Sequence, residues 1–389
     1  MSRTGLLLMA YGTPRSPGDV EAYYTDIRRG RPPTPEQLAD LQRRYDAIGG
    51  ISPLAQRTEA QRAALAAALE ARMPGEFEVV LGQKHAAPFV EDAVRALAGA
   101  GITRTVGLVL APHYSAFSVG QYHQRAATMG AEVGVELLPI DSWHLEPAYL
   151  DFLTTALVEA RAGLPERHKV LFTAHSLPER VLAGDPYPDQ LRASAAAVAE
   201  RVGLLPWPDW AIAWQSAGRT PEPWRGPDIL DVIRDLGDTG RTDGVAVCAQ
   251  GFVSDHLEVL YDLDIEATRV AAEHGLAFSR TRSLNDDPAV MAALADRVLE
   301  RAGFAPGGDG SCASPWSGPA SPASPPPSPC STTRRAPTSS CSTPPTTRAA
   351  RSPPGPSPAI RSTVRRMRSS PGCPTASDCV NGSVCAMRS

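Results

Sequence analysis

Short apolar runs rich in Val, Leu and Ile alternate with longer amphipathic segments along most of the chain. The runs Gly5–Met9, Phe77–Leu81, Thr105–Leu110, Val135–Pro139, Lys169–Thr173, Trp210–Trp214, Gly244–Cys248 and Leu276–Ser279 are mostly apolar rather than strictly alternating, the pattern of buried strands. Between them Thr58–Arg72, Val90–Ala98, Pro188–Arg201 and Asp228–Leu236 carry apolar residues at helical spacing, and Pro288–Arg301 predicts a last helix ending near Gly303. Strand–helix alternation predicts an α/β protein with parallel sheets covered by helices on both faces. The strands divide four and four around residue 150. Two similar lobes are therefore expected, residues 1–150 and 151–305, with the last helix able to pack back on the first lobe.

Composition separates this body from the C-terminal stretch of the chain. Residues 306–389 hold 17 of the 38 prolines, six of the seven cysteines and a single aromatic, Trp316. Nine arginines there face only Asp309 and Asp378, so this stretch is +7 and the body is −11 within a net charge of −4. A Pro/Ser/Arg-rich segment of this kind cannot bury enough apolar surface to offset ordering entropy, and a disordered tail is expected. An acidic body argues against a nucleic-acid binder. No apolar run reaches the roughly 20 residues that span a bilayer. Residues 5–11 run straight into Gly12-Thr13-Pro14 without a small-residue cleavage site, so a first strand is read there and not a signal peptide. Cys248 stands alone in the body, which fits a reducing cytoplasm.

In open α/β sheets, ligands bind beyond the carboxyl ends of the strands. Those ends carry Tyr11, His85, His113, His175, Gln215-Ser216 and Gln250-Gly251-Phe252, which points to a cleft enzyme. His175, in Thr173-Ala174-His175-Ser176-Leu177-Pro178, is a strand-end imidazole able to move a proton near neutral pH; a ring bonded to a neighbouring loop is the plainer alternative. Glu258, Asp262 and Glu266 recur every four residues, forming one slowly drifting row on a helix that a local π-type widening would straighten. A hard divalent cation would offset their repulsion; otherwise they are a solvated face partnered by Arg269. Tyr11 can hydrogen-bond, stack or ligate iron, or simply sit as an interface aromatic. The segments Tyr23–Arg31 and Arg43–Leu54 are rich in Arg, whose forked guanidinium suits a ligand with several carboxylates, although ordinary helix-surface charge reads the same way. No glycine-rich phosphate loop follows a strand.

Taken together, Leu8-Met9-Ala10-Tyr11-Gly12-Thr13-Pro14, Tyr23–Arg31, Arg44–Leu54, Thr173–Pro178, Gly184–Leu191, Trp214-Gln215-Ser216 and Gly251–Asp262 resemble ferrochelatases in one register over residues 3–303. The likeness is strongest to the soluble, monomeric bacterial branch that metallates coproporphyrin III. The resemblance implies a chelatase fold, two Rossmann-like lobes with four-stranded parallel sheets gripping a porphyrin. It implies that His175 and Glu258 face each other at the macrocycle's centre and that Tyr11 ligates the product iron from the other face. Porphyrin contacts fall on Arg28, Arg44, Tyr45, Ser52 and Tyr122, and Asp262 and Glu266 continue an outer metal path from Glu258. Fe²⁺ is then a substrate.

Some relatives carry a [2Fe–2S] cluster. The spacing of Cys312, Cys330, Cys341, Cys373, Cys379 and Cys385 departs from that pattern and Cys248 matches no internal ligand, so a cluster is not expected. The alternatives weighed are a chelatase for protoporphyrin IX, a cobalt chelatase, and a haem or iron carrier without catalysis. The lack of an apolar membrane-docking lip favours a carboxylate-rich porphyrin.

Overall fold

The computed structural model describes residues 3–218 and 220–304. The tail expectation, with its six cysteines, lies outside the described residues. In chain order the elements are β1 (Thr4–Ala10), α1 (Val20–Ile27), α2 (Pro35–Ala47), α3 (Leu54–Arg72), β2 (Phe77–Gln83), α4 (Val90–Gly99), β3 (Arg104–Val109), α5 (Val119–Val133) and β4 (Glu136–Ile140). After these come α6 (Pro147–Arg161), β5 (His168–His175), α7 (Glu179–Leu182), α8 (Tyr187–Arg201), β6 (Trp210–Gln215), α9 (Ile229–Asp238), β7 (Gly244–Cys248), α10 (Leu257–Tyr261), α11 (Thr268–Glu273), β8 (Ala277–Arg280) and α12 (Pro288–Ala302). Each predicted strand is present, shifted by no more than two residues at either end. Among the described residues no helix is long and apolar enough to cross a membrane.

Two four-stranded parallel sheets result, ordered β2-β1-β3-β4 and β6-β5-β7-β8, so the second repeats the topology of the first. Successive strand residues point to opposite faces. Leu6 and Leu8 of β1 therefore enter one core cluster while Leu7 and Met9 enter another against α4 and α5. Both faces being covered, β1 is buried along its whole length, which is why its sequence reads as an unbroken apolar run.

The cluster containing Leu6 and Leu8 crosses from sheet to sheet. It takes in Val106 and Leu108 of β3, Val170 and Phe172 of β5, Ala246 and Cys248 of β7, and the apolar faces of α6 and α12. The lobes thus share one interior, and the described residues all fall in one compact unit. Residue 150 lies inside α6, which packs on β7, β8, α8 and α12. The last helix returns to α3, β3 and β4, fastened by Arg72 to Asp296 and Arg297 to Glu146.

A π-helical turn, Asp262–Ala267, joins α10 to α11 and makes one helix of the three. Asp262 and Glu266 both fall on this turn, four and eight residues after Glu258. Arg269 pairs with Glu273 rather than with this row.

Candidate active site

The carboxyl ends of both sheets open on a cleft of about 1600 Å³, solvent at its mouth included. The turn after β1 supplies Tyr11 and Gly12, and Gly12 has φ +91°, a left-handed conformation that glycine adopts without strain. A Cβ there would also meet Ala86 at 2.9 Å, so the turn can close only on glycine. Strand β5 ends on His175, held in register beside Gln215 at the end of β6. Gly251, in the loop after β7, lies so close to Ala174 that a Cβ would come within 2.5 Å of that residue's own. This approach brings the loop that leads to Glu258 against His175.

His175 Nε2 lies 3.8 Å from Glu258 Oε1, and His256 Nε2 lies 3.7 Å from Glu258 Oε2. Each imidazole uses its other nitrogen on a carbonyl, His175 Nδ1 on Ser176 and His256 Nδ1 on Ser254. A carbonyl can only accept, so each Nδ1 carries a hydrogen, and proton exchange at either ring takes place at Nε2, on the side of Glu258. Burial alone would raise the Glu258 pKa, but the charges of His175, His256 and Arg44 and a hydrogen bond from His256 hold it below the usual carboxylate value. The arrangement can take a proton at His175 and stabilise the resulting imidazolium with a fixed carboxylate.

Behind Glu258, Asp262 accepts a hydrogen bond from Ser216, whose φ of 59° is unusual for a residue with a side chain. Burial first, then the Glu258 charge, pushes the Asp262 carboxyl up to about 7, against the opposing effects of Ser216 and Arg44. Arg44 does not line the cleft. Its guanidinium lies 3.2 Å from Asp40, 3.9 Å from Asp262 and over the Tyr261 ring, where it offsets the acidic row. Arg28 closes α1 at the rim, with its side chain bonded to the Arg31 carbonyl and set over Tyr24.

Tyr11, Tyr45, Ser52 and Tyr122 do line the cleft, with His175 and Glu258, whereas Arg28, Asp262 and Glu266 are off that lining. The Tyr11 phenol is pushed well above its ordinary pKa by burial and by the Glu258 charge, and its ring packs 4.7 Å from His85. Sequence reasoning gave no role to His256, although it stands two residues before Glu258 on the same turn of chain. It also missed Lys84, whose ammonium bonds to Gln121 at 2.7 Å and lies over Tyr122. The neighbouring strand-end His85 was the signal that could have found it.

Among the described residues no three His, Cys, Asp or Glu side chains form a preformed metal cage. An iron–sulfur cluster does not fit Cys248, which is fully buried in the shared core and whose thiol burial pushes up to about 12.

The chain is 47% identical to the coproporphyrin III ferrochelatase of Geobacillus sp. (strain WCH70), covering 77% of this chain and 98% of that protein. It is 45% identical to the coproporphyrin III ferrochelatase of Geobacillus kaustophilus, covering 76% and 95%. Among solved structures, SirB from Bacillus subtilis with Fe³⁺ aligns at a TM-score of 0.47 and 12% identity, over 77% of this chain and 96% of that one. The family model described as Ferrochelatase matches residues 3–302, both sheets and the cleft between them included, and the chain belongs to the ferrochelatase family.

Proposed function

We propose that this chain is a coproporphyrin III ferrochelatase that inserts Fe²⁺ into coproporphyrin III to give Fe-coproporphyrin III, with release of the two inner pyrrole protons. The observation that carries the reading is the His175–Glu258 pair, 3.8 Å apart at the wall of the cleft onto which both sheets open. The names and identities of the Geobacillus relatives support the choice of porphyrin.

In this reading the porphyrin enters between the lobes and is bent by contacts on both walls, which turns the inner nitrogens out of the plane and uses binding energy on distortion. His175 accepts a pyrrole proton at Nε2. Glu258, already ionised, stabilises the imidazolium and can pass the proton on to His256 or to water. Fe²⁺ tolerates imidazole and carboxylate alike, so weak holding by His175 and Glu258 permits transfer into the four-nitrogen ring. Asp262 and Glu266 extend the carboxylate path outward. Tyr11 meets the iron of the product from the opposite face. Tyr45, Ser52 and Tyr122 contact the macrocycle and its side chains, Arg28 attracts a carboxylate at the rim, and Arg44 acts through its charge unless a propionate draws it from Asp40. We also read the protein as a cytoplasmic monomer, which gel filtration checks for the assembly state.

The test is anaerobic Fe²⁺ insertion followed by absorbance, with coproporphyrin III and protoporphyrin IX side by side. Turnover is expected with coproporphyrin III and should fall at least tenfold with protoporphyrin IX. Equal rates, or a preference for protoporphyrin IX, would sink the assignment of substrate.

A further inference from the structure

The string Gly184-Asp185-Pro186-Tyr187 has no part in the chemistry above, yet it makes direct polar connections between the lobes. Asp185 lies between α7 and α8 of the second lobe. Its Oδ2 accepts the backbone N–H of Ala116 at 2.8 Å and the Ser115 hydroxyl at 3.1 Å, both from the loop after β3 of the first lobe. Its Oδ1 accepts the backbone N–H of Tyr187 at 3.0 Å. Among the described residues no Lys, Arg or His lies within ion-pair distance of this carboxylate, so three neutral donors hold it, and hydrogen bonds to an ionised acceptor are the strong ones.

What Asp185 joins are two parts of the cleft wall. Tyr187 lines the cleft, and its hydroxyl donates to the backbone carbonyl of His175 at 3.3 Å. Two residues beyond Ser115, Phe117 is buried among Ala174, Leu177, Leu191 and Trp214 of the other lobe. Neighbouring bonds run in the same direction, the Tyr114 N–H to the Gln190 side chain at 2.7 Å and His113 to the Ser194 hydroxyl at 2.8 Å. The first-lobe wall is thereby docked on the segment that carries the proton acceptor.

We propose that Asp185 is a positioning residue for metal insertion: its carboxylate fixes the loop after β3 against Tyr187 and so sets His175 at the distance from the opposite wall that a bent macrocycle requires. The proposal rests on the ferrochelatase reading of the cleft. Bending needs two walls at a fixed separation, and a misplacement of about 1 Å can cost on the order of a hundredfold in rate. Loss of the tie should therefore fall on kcat more than on porphyrin binding.

The experiment compares wild type, Asp185→Asn, Ser115→Ala and the double variant in anaerobic iron insertion with coproporphyrin III, below the melting temperature of each. Asp185→Asn keeps the shape but leaves one accepting oxygen, so an amide NH₂ must face either the Ala116 and Ser115 donors or the Tyr187 N–H, and the tie that links all three cannot be kept whole. The expected result is a kcat reduced at least tenfold, a porphyrin KM changed by less than about threefold, and an altered absorbance of bound free-base porphyrin. Ser115→Ala should lower kcat by about threefold, and the double variant should be no worse than Asp185→Asn, because both remove the same tie.

Should Asp185→Asn fail to fold, Ser115→Ala and Tyr187→Phe, each lacking one hydroxyl, must still lower kcat with KM little changed. Wild-type kcat in these variants, multiplicative losses in the double variant, or a loss explained by the unfolded fraction would overturn the proposal. An inactive wild type would instead remove the ferrochelatase reading and this inference with it.

Discussion

A carbonyl oxygen decides which nitrogen of His175 is available for proton transfer. Because Ser176 O can only accept, Nδ1 holds its hydrogen, and Nε2, which faces Glu258, is the nitrogen where a proton is gained or lost. Under the proposed function His175→Ala should lower kcat by about 10²–10⁴, the range for a lost acid–base group, while porphyrin binding followed by absorbance survives. Wild-type turnover in that variant would take His175 out of the mechanism. Lys84 offers a test of electrostatics at the same scale. Burial first, then the charges of Arg125 and Arg29, lowers its ammonium to about 8. The unfolded chain keeps its proton up to about 10.4, so from pH 8 to pH 10 the unfolded state binds more protons and stability rises with pH. Below pH 8 the charge is present in both states and its burial is a standing cost. Lys84→Met should therefore gain about 1–2 kcal/mol in urea denaturation at pH 7, net of the lost Gln121 bond, and the gain should vanish near pH 10. An unchanged slope between pH 8 and pH 10 would contradict the assignment.

The elements that carry the site are short segments leaving strand ends, and their placement depends on close backbone packing. Gly251 is the clearest case. Gly251→Ala would press a methyl to within 2.5 Å of the Ala174 Cβ, one residue before His175. Overpacking of this kind costs about 1–3 kcal/mol. We expect a lower melting temperature together with reduced kcat, since relief of the clash must move either β5 or the loop leading to Glu258. A variant with wild-type melting and turnover would show that the approach is looser than these distances imply. The acidic row makes a related point. Spacing by four residues put Glu258, Asp262 and Glu266 near one face, and the last two fall on the π-helical turn. That turn could be raised from the sequence but not bounded, because the contacts of Asp262 with Arg44 and Ser216 come from distant parts of the chain.

At the scale of the whole molecule, two sheets of the same topology enclose α6 and α12 between them, so the lobes have a common interior. The chain ends this arrangement cleanly: Gly303 takes φ +90° after α12, Phe304 N–H bonds back to Leu299 O, and the Phe304 ring packs 5.6 Å from Phe77. A protein lacking residues 306–389 should keep the melting temperature and turnover of the full chain. A drop in either, measured by calorimetry and by the iron-insertion assay, would assign those residues a role.

The sequence by itself determined the eight strands, five of the helices and the alternation of the two, because buried strands are mostly apolar and helices covering them are amphipathic. Tyr11 and His175 stood out at strand ends and Glu258 in its row of carboxylates, whereas Tyr45, Ser52 and Tyr122 were named only through the family resemblance; all six line the cleft. Only the tertiary structure decided that Arg44 stands behind the cleft with Asp40 and Asp262, that His256 flanks Glu258, and that Asp185 reaches across to Ser115 and Ala116. Those pairings join residues far apart along the chain, and local periodicity carries no information about them. They are fixed by which sheet edges, loops and helices the shared core brings face to face.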